Sequence, residues 1–271
     1  MFEQVKEQLS DEIFYQEDDG ILVLSDCLKI LPLIPDETIS LIVTSPPYWN
    51  IHKYNNGNEI GYGQSLDEYI FSMENVFKQF HRILKQSGNV IFNIMDVQRS
   101  NNLVRLSDLI IDISPLKLRQ RIIWYIPNKM PVVNDRYLVN KYEQLLHFIK
   151  SDSYVFNPDS LRLPKSIWAK KDKRKWKFNE KGALLGNVWE IPAVHLENPP
   201  HPARFPEKIV SLCIEGWSNK GDLVLDPFLG SGTTSFVAKR LCRKYIGIEV
   251  NKNYLNTAIK QLQGVSGNLF L

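Results

Sequence analysis

Short unbroken apolar runs alternate with amphipathic stretches along this chain. Gly20-ILVLS-Asp26 reads as a buried strand closing on an acid, and Cys27 to Leu33 as one or two helical turns. Thr38-ISLIVTS-Pro46 reads as a second buried strand. Ser65-Leu66-Asp67-Glu68 has the form of a capping box, in which hydroxyl and carboxylate satisfy each other's backbone N–H groups. Beyond it Tyr69, Ile70, Met73, Val76, Phe77, Phe80, Ile83 and Leu84 recur at helical spacing. That spacing predicts a helix with one face on a core, stopped at Gly88. Asn89-VIFNI-Met95 and Arg119-QRIIWYI-Pro127 predict further strands, and Tyr142-EQLLHFI-Lys150 a strand that follows a hairpin or loop. Phe205-Pro206 opens a helix through Ile209, Val210, Cys213 and Ile214, with proline in its first turn. Asp222-LVL-Asp226 is then a strand, Gly230 to Gly232 a tight loop, Thr233 to Leu241 a helix, Lys244-YIGI-Glu249 a strand, and Asn253 to Leu262 a closing helix. Buried strands alternating with helices indicate an α/β class with a mostly parallel sheet.

Two stretches break the pattern. Asn50 to Gln64 is rich in Asn and Gly and reads as a loop. Ser151 to Asn187 is polar, basic and weakly periodic, and reads as an insert. The chain thus divides into residues 1–150, an insert at 151–187, and residues 188–271. Net charge sharpens this division. It is only +3 over 271 residues, yet Leu161–Gly182 alone carries nine Lys/Arg against Asp172 and Glu180. Lys170, Lys171, Lys173, Arg174, Lys175 and Lys177 lie there with Trp168, Trp176 and Phe178 interleaved. Clustered cations with aromatic neighbours suit a polyanion such as nucleic acid, whereas a bare charge run is usually a solvated loop. The composition, 44% hydrophobic and 23% charged, is that of a globular protein. No apolar run reaches membrane-spanning length, MFEQVKEQLSDE lacks the form of a signal peptide, and no membrane partner is expected. Cys27, Cys213 and Cys242 lack paired spacing, which fits reduced thiols in a cytoplasmic protein and neither a disulfide framework nor a metal site.

Candidate chemistry gathers at strand ends. Asp26, Ser45, Asp226 and Glu249 each close a predicted strand, and ligands of open α/β sheets sit beyond those ends. Any one acid there would ordinarily be a turn or cap residue. Asp226-PFLGSGTT-Ser235 is more specific. Gly230 and Gly232 permit close backbone approach, and Thr233 and Thr234 open a helix whose free N–H groups favour an anionic group. Glu249, about twenty residues on, is placed to accept hydrogen bonds from ribose hydroxyls. The pattern suits a nucleoside-containing cofactor. It is no P-loop, since no Gly-Lys-Ser/Thr follows, and it lacks the third glycine of the dinucleotide fingerprint.

Val43-TSPPY-Trp49, His201-PARFPEK and Val224-LDPFLGSGT-Thr234 occur in that order, with the basic segment between the first and second. Asn187-VWEIP, IIWYIPN, Asn134-Asp135-Arg136 and Tyr142-Glu143 accompany them. From Gly20 to Leu262 the chain resembles the S-adenosylmethionine-dependent amino DNA methyltransferases of the circularly permuted β class. The resemblance implies a Rossmann-like methyltransferase fold, with a mostly parallel twisted sheet, helices on both faces and a small basic insert for target recognition. It implies S-adenosylmethionine as cofactor and double-stranded DNA as substrate, with a homodimer and a companion restriction endonuclease among the assemblies such enzymes form. Asp226, Phe228, Gly230, Gly232 and Thr233 would line the methionine end of the cofactor, flanked by His201, Ala203 and Phe205. Glu249 would hold the ribose and Asp26 the adenine, with Cys27 and Thr44 beside them. The six Lys/Arg at 170–177 would contact DNA, with Asn50–Gln64 and Arg99–Asn102 as further candidates for sequence reading. The family often has a lysine soon after the tryptophan of IIWYIPN; here Ile126 stands there and Lys129 slightly later.

The SPPY corner has a physical rationale in such a reaction. An exocyclic amine is a poor nucleophile because its lone pair is delocalised into the ring. Fixed acceptors for its N–H protons counter this, and the Ser45 hydroxyl and Pro46 carbonyl are the candidates. Pro46 has a locked φ and Pro47 restricts it further, so that carbonyl is aimed with little entropy to lose. Tyr48 offers a face for a flipped base, with Trp124 or Tyr125 as the opposing wall or else as plain strand core. Within the family a serine at this place favours cytosine N4 over adenine N6. An adenine enzyme of the same fold, or a DNA-binding relative without catalysis, are the alternatives.

Overall fold

The computed structural model describes residues 1–51, 60–99, 102–130, 136–163, 179–194 and 204–265. A nine-stranded sheet organises them. In chain order its strands are β1 (Ile13–Glu17), β2 (Gly20–Leu24), β3 (Ile39–Thr44), β4 (Leu84–Ile94), β7 (Lys117–Tyr125), β8 (Tyr142–Ile149), β11 (Val188–Glu190), β12 (Leu223–Asp226) and β13 (Lys244–Glu249). Two small ribbons pair β5 (Val97–Arg99) with β6 (Asn102–Val104) and β9 (Arg162–Leu163) with β10 (Ala183–Leu184). The sheet order is β1-β2-β13-β12-β3-β4-β8-β7-β11. Its five central strands, β2, β13, β12, β3 and β4, run parallel. β1 is antiparallel at one edge, β8 pairs antiparallel with both β4 and β7, and β11 lies parallel to β7 at the far edge.

Every residue of β3 is buried, which suits its largely apolar sequence; its two hydroxyls, Ser40 and Thr44, are hydrogen-bonded to Asp222 and Asp226. β12 and β13, from the end of the chain, lie between β2 and β3. This insertion brings residues 182 apart into contact at the sheet's carboxyl edge.

Helices cover both faces. One core cluster holds α1 (Phe2–Gln8), α2 (Cys27–Ile30), α3 (Leu66–Ile83) and α4 (Leu106–Ile113) against the sheet. There the Phe77 ring meets Phe80, Phe92 and Phe148 at centroid distances of 5.2, 5.0 and 5.4 Å. The other cluster holds α5 (Glu207–Trp217), α6 (Thr233–Arg240) and α7 (Lys252–Val265). From the stretch 151–187, Leu161 is buried in this second cluster against α5. None of the described helices is long and apolar enough to cross a membrane.

The capping box of α3 forms as expected, with Ser65 and Glu68 each satisfying the other's backbone N–H. Its end does not. The helix stops at Ile83, and Gly88 lies inside β4. A glycine cap is unnecessary because the chain entering β3 takes the last carbonyls: Glu37 and Thr38 donate their N–H groups to Arg82 and Ile83. Arg82 reinforces the junction by donating from its guanidinium to the Leu31 and Ile34 carbonyls, both at 2.8 Å. Proline also sits one place earlier than expected in α5, since Pro206 is the N-cap and not the first helical residue.

Candidate active site

The carboxyl ends of the parallel strands open onto one cleft enclosing about 1000 Å³, counting its open mouth. Asp26, Cys27, Phe205, Asp226, Phe228, Gly230, Thr233 and Glu249 line it from the cofactor side of the expectation, and Ser45, Pro46, Pro47 and Tyr48 from the target side. Arg204, Ser231 and Thr234 line it as well; they lie within the HPARFPEK and DPFLGSGTT motifs, though only Thr234 has an expected part there, in opening the helix.

The β12 side is built around two buried carboxylates. Asp226 is 3% exposed and accepts from the Thr44 hydroxyl at 2.6 Å and the Phe228 N–H at 3.1 Å. Burial pushes its carboxyl up to about 6, with the Thr234 and Thr44 hydroxyls and the Phe228 N–H pulling the other way. Glu249 is 8% exposed. Its Oε2 accepts from the Gly230 N–H at 2.7 Å and its Oε1 from the Asn251 N–H at 2.8 Å. Burial raises it to about 7, opposed by those N–H groups and reinforced by the nearby Asp226 charge. Each carboxylate oxygen has a second lone pair, so Glu249 retains capacity for ribose hydroxyls. Asp26 caps α2 by accepting from the Leu28 N–H at 2.9 Å, while still facing the cleft. Burial, with the Asp26 charge, pushes the Cys27 thiol well up, so it stays protonated and unreactive.

Thr44 and Gly232 shape the cleft without lining it. Thr44 is fully buried and holds Asp226. Gly232, at φ 93°, is the N-cap of α6, and a Cβ there would lie 2.4 Å from the Ala258 Cβ.

The β3 side is a network of side chains. Tyr48 is 5% exposed and its hydroxyl donates to Glu143 Oε2 at 2.6 Å. The Ser45 hydroxyl donates to Tyr48 Oη at 3.4 Å. Asn93, 2% exposed, directs its Nδ2 to Glu143 Oε2 at 2.7 Å, Tyr48 Oη at 3.1 Å and Ser45 Oγ at 3.4 Å. Its Oδ1 is buried with no hydrogen-bond partner among the described residues. Asn93 comes from the end of β4 and Glu143 from the start of β8. Because β8 runs antiparallel, its first residues reach the edge where the parallel strands finish. The sequence reading assigned neither residue a role.

The chain leaving this corner is anchored. The Trp49 indole N–H donates to the Gln64 carbonyl at 2.9 Å, and Arg99 donates to the Trp49 and Asn50 carbonyls while its guanidinium lies 5.3 Å from the Trp49 ring centroid. Lys129 points its Nζ at the Met95 sulfur, 3.6 Å away.

Trp124 and Tyr125 are not among the cleft-lining residues. The buried Trp124 indole donates to the Ile191 carbonyl at 2.6 Å, and its ring tilts against Phe205 with centroids 6.3 Å apart. Tyr125 is exposed on β7. His201 and Ala203, and Lys170, Lys171, Lys173, Arg174, Lys175 and Lys177, lie outside the described residues.

Comparison with known proteins agrees with this geometry. A family described as DNA methylase matches residues 39–260. The type II methyltransferase M.ScaI of Streptomyces caespitosus is 31% identical over 95% of this chain and 86% of its own length. The DNA adenine methyltransferase YhdJ of Escherichia coli K12 is 31% identical over 90% of this chain and 83% of its own length. Among solved structures, the cytosine-N4-specific PvuII DNA methyltransferase superposes with a TM-score of 0.71 at 23% identity, covering 92% of this chain and 88% of that one.

Proposed function

The chain belongs to the DNA methylase family, and from that premise we propose that it transfers a methyl group from S-adenosylmethionine to the exocyclic N4 of a cytosine flipped out of duplex DNA, as the modifying half of a restriction–modification pair. The observation that carries this reading is the 2.6 Å hydrogen bond between Thr44 and Asp226. It ties the strand leading into SPPY to the strand leading into the glycine loop, so the two motifs form walls of one cleft.

The donor set fits the cofactor. Asp226 and Glu249 present carboxylates beside a helix N-terminus and a glycine turn, which suits a cationic amino acid joined to a ribose. S-adenosylmethionine supplies an electrophilic methyl on a sulfonium sulfur. Glu249 holds the ribose hydroxyls and Asp26 the adenine amine. Asp226 and the Thr233 end of α6 orient the methionine portion. On the other wall the Ser45 hydroxyl and the Pro46 carbonyl accept the N–H groups of the target amine, pulling its lone pair out of conjugation and toward the methyl. Tyr48 supports the base. Positioning and preorganised dipoles carry most of such a rate enhancement. Lys170, Lys171, Lys173, Arg174, Lys175 and Lys177 hold DNA phosphates, making 151–187 the recognition insert.

Serine at the head of SPPY supports cytosine; the likeness to an adenine methyltransferase supports N6 of adenine as the second reading. Incubation with isotopically labelled S-adenosylmethionine and duplex DNA, followed by digestion to nucleosides and mass spectrometry, separates them. We expect labelled N4-methylcytosine, lowered about 100-fold in Ser45→Ala as for loss of one preorganised hydrogen-bonding group. Labelled N6-methyladenine replaces the base assignment. No labelled nucleoside, with cofactor binding intact, removes the enzymatic reading.

A further inference from the structure

We propose that Glu143 is the terminal proton acceptor of the methyl-transfer step, reached from the target amine through Ser45 and Tyr48. This inference rests on the amino-methyltransferase reading above. The donors point one way along a line of three oxygens. The Ser45 hydroxyl donates to Tyr48 Oη at 3.4 Å, and the Tyr48 hydroxyl donates to Glu143 Oε2 at 2.6 Å. The first link is long for an O–H···O contact, as hydrogen bonds in an unliganded site often are before the substrate tightens them. Asn93 holds the line in register by donating from one nitrogen to all three side chains.

An acceptor is a chemical requirement here. The amine starts neutral and acquires the methyl from a cation, so one N–H proton must leave. The nitrogen–carbon bond forms as the sulfur–carbon bond breaks, and the electrons of the broken bond stay on sulfur as a lone pair. The amine proton passes to Ser45 Oγ, the Ser45 proton to Tyr48 Oη, and the Tyr48 proton to Glu143 Oε2. The positive charge lost from sulfur is thereby matched by the negative charge lost from the carboxylate. Glu143 is half-buried, so its acquired proton can then pass to solvent. Asp226 and Glu249 are poorly suited to this task. Asp226 is occupied by the Thr44 hydroxyl and the Phe228 N–H, and Glu249 by the Gly230 and Asn251 N–H groups.

A purely structural role for Glu143 makes a different prediction. Glutamine retains an oxygen to accept from Tyr48 and should preserve the geometry, yet it cannot take up a proton at physiological pH. Single-turnover methyl transfer by Glu143→Gln should therefore fall about 100-fold or more, the scale of general-base catalysis. Dissociation constants for cofactor and DNA should stay within about twofold, with Glu143→Asp recovering part of the rate. Tyr48→Phe should show a comparable loss, and the double variant should be no slower than the worse single variant, because both break one chain. Independently of rate, infrared difference spectra of the wild-type product complex should show a protonated-carboxyl band that is absent in Glu143→Gln. A Glu143→Gln rate within about threefold of wild type, or persistence of that band, overturns the relay. If Glu143→Gln does not fold, Tyr48→Phe carries the same rate and infrared tests. A wild-type protein that methylates no DNA removes the parent reading and the relay with it. A methylating wild type beside a near-normal Glu143→Gln removes the relay alone, and N6-methyladenine as product leaves it standing, since that amine must also lose a proton.

Discussion

The two walls of the cleft are built on different principles. On the wall formed by the ends of β2, β12 and β13, carboxylates are clasped by backbone N–H groups: Gly230 and Asn251 on Glu249, Phe228 on Asp226, Leu28 on Asp26. On the β3–β4–β8 wall, side chains hold side chains, with Ser45, Tyr48, Asn93 and Glu143 in one network. A wall made by backbone geometry can grip a part that never changes, such as a cofactor's ribose and amino-acid end. A wall made by side chains can be retuned by single substitutions. That suits the position where a target base is read and a proton is moved.

If the β12–β13 wall depends on backbone shape, the largest effect should come from a methyl group placed where no chemistry occurs. Gly232→Ala puts a Cβ 2.4 Å from the Ala258 Cβ at a φ of 93°. Left-handed strain and overpacking each cost about 1–3 kcal/mol. Urea denaturation should show a loss on the order of 3 kcal/mol, and titration calorimetry should show cofactor binding severely weakened. An unchanged midpoint would mean that α6 starts elsewhere.

A smaller effect should separate the walls by pH. Glu249 is raised above its ordinary carboxylate range to about 7, so in the unliganded protein it holds a proton that the unfolded chain would release. Stability should therefore decline as pH rises from the unfolded value through about 7, with Asp226, at about 6, contributing in the same direction. Cofactor binding runs the other way. Ribose hydroxyls donate to the carboxylate, so affinity should weaken as pH falls below about 7, approaching tenfold per unit. Calorimetric titrations at pH 6, 7 and 8 test this, and Glu249→Gln should bind more weakly with a flatter profile. A wild-type affinity independent of pH would show that the carboxylate is ionised before the ligand arrives.

The same contrast explains what could be read from sequence. Asp226 to Thr234 is contiguous, and Glu249 follows at the end of the next strand, so local strand–loop–helix chemistry exposed that wall. The other wall needed the pairing of β4 with β8. Asn93 and Glu143 lie 50 residues apart, and Glu143 sits at the start of its strand, whereas Asp26, Ser45, Asp226 and Glu249 lie at the ends of theirs. The available signal was Tyr142-Glu143 itself, once a hairpin return to β4 is drawn. The end of α3 was misplaced for a related reason, because its carbonyls are satisfied by Glu37 and Thr38, from far earlier in the chain, and not by a local glycine. β1 and α1 escaped notice because they are short, with β1 half-buried in alternation at a sheet edge.

The smallest effect concerns Trp124, and it asks where the side-chain wall ends. An aromatic pair in a strand beside the target motif invites assignment as a base-stacking platform. Yet the Trp124 indole N–H is spent on the Ile191 carbonyl, the residue is 5% exposed, and it packs against Phe205 without lining the cleft itself. Its cross-strand partner is Glu143, so it flanks the network on β7. Trp124→Phe keeps an aromatic ring but removes the donor, leaving a buried carbonyl unsatisfied at a cost of about 1–3 kcal/mol. Thermal denaturation should register that loss, while single-turnover methyl transfer at saturating DNA should stay within about twofold of wild type. A rate loss at unchanged stability would instead make Trp124 a surface for the flipped base and extend the reading wall across β7.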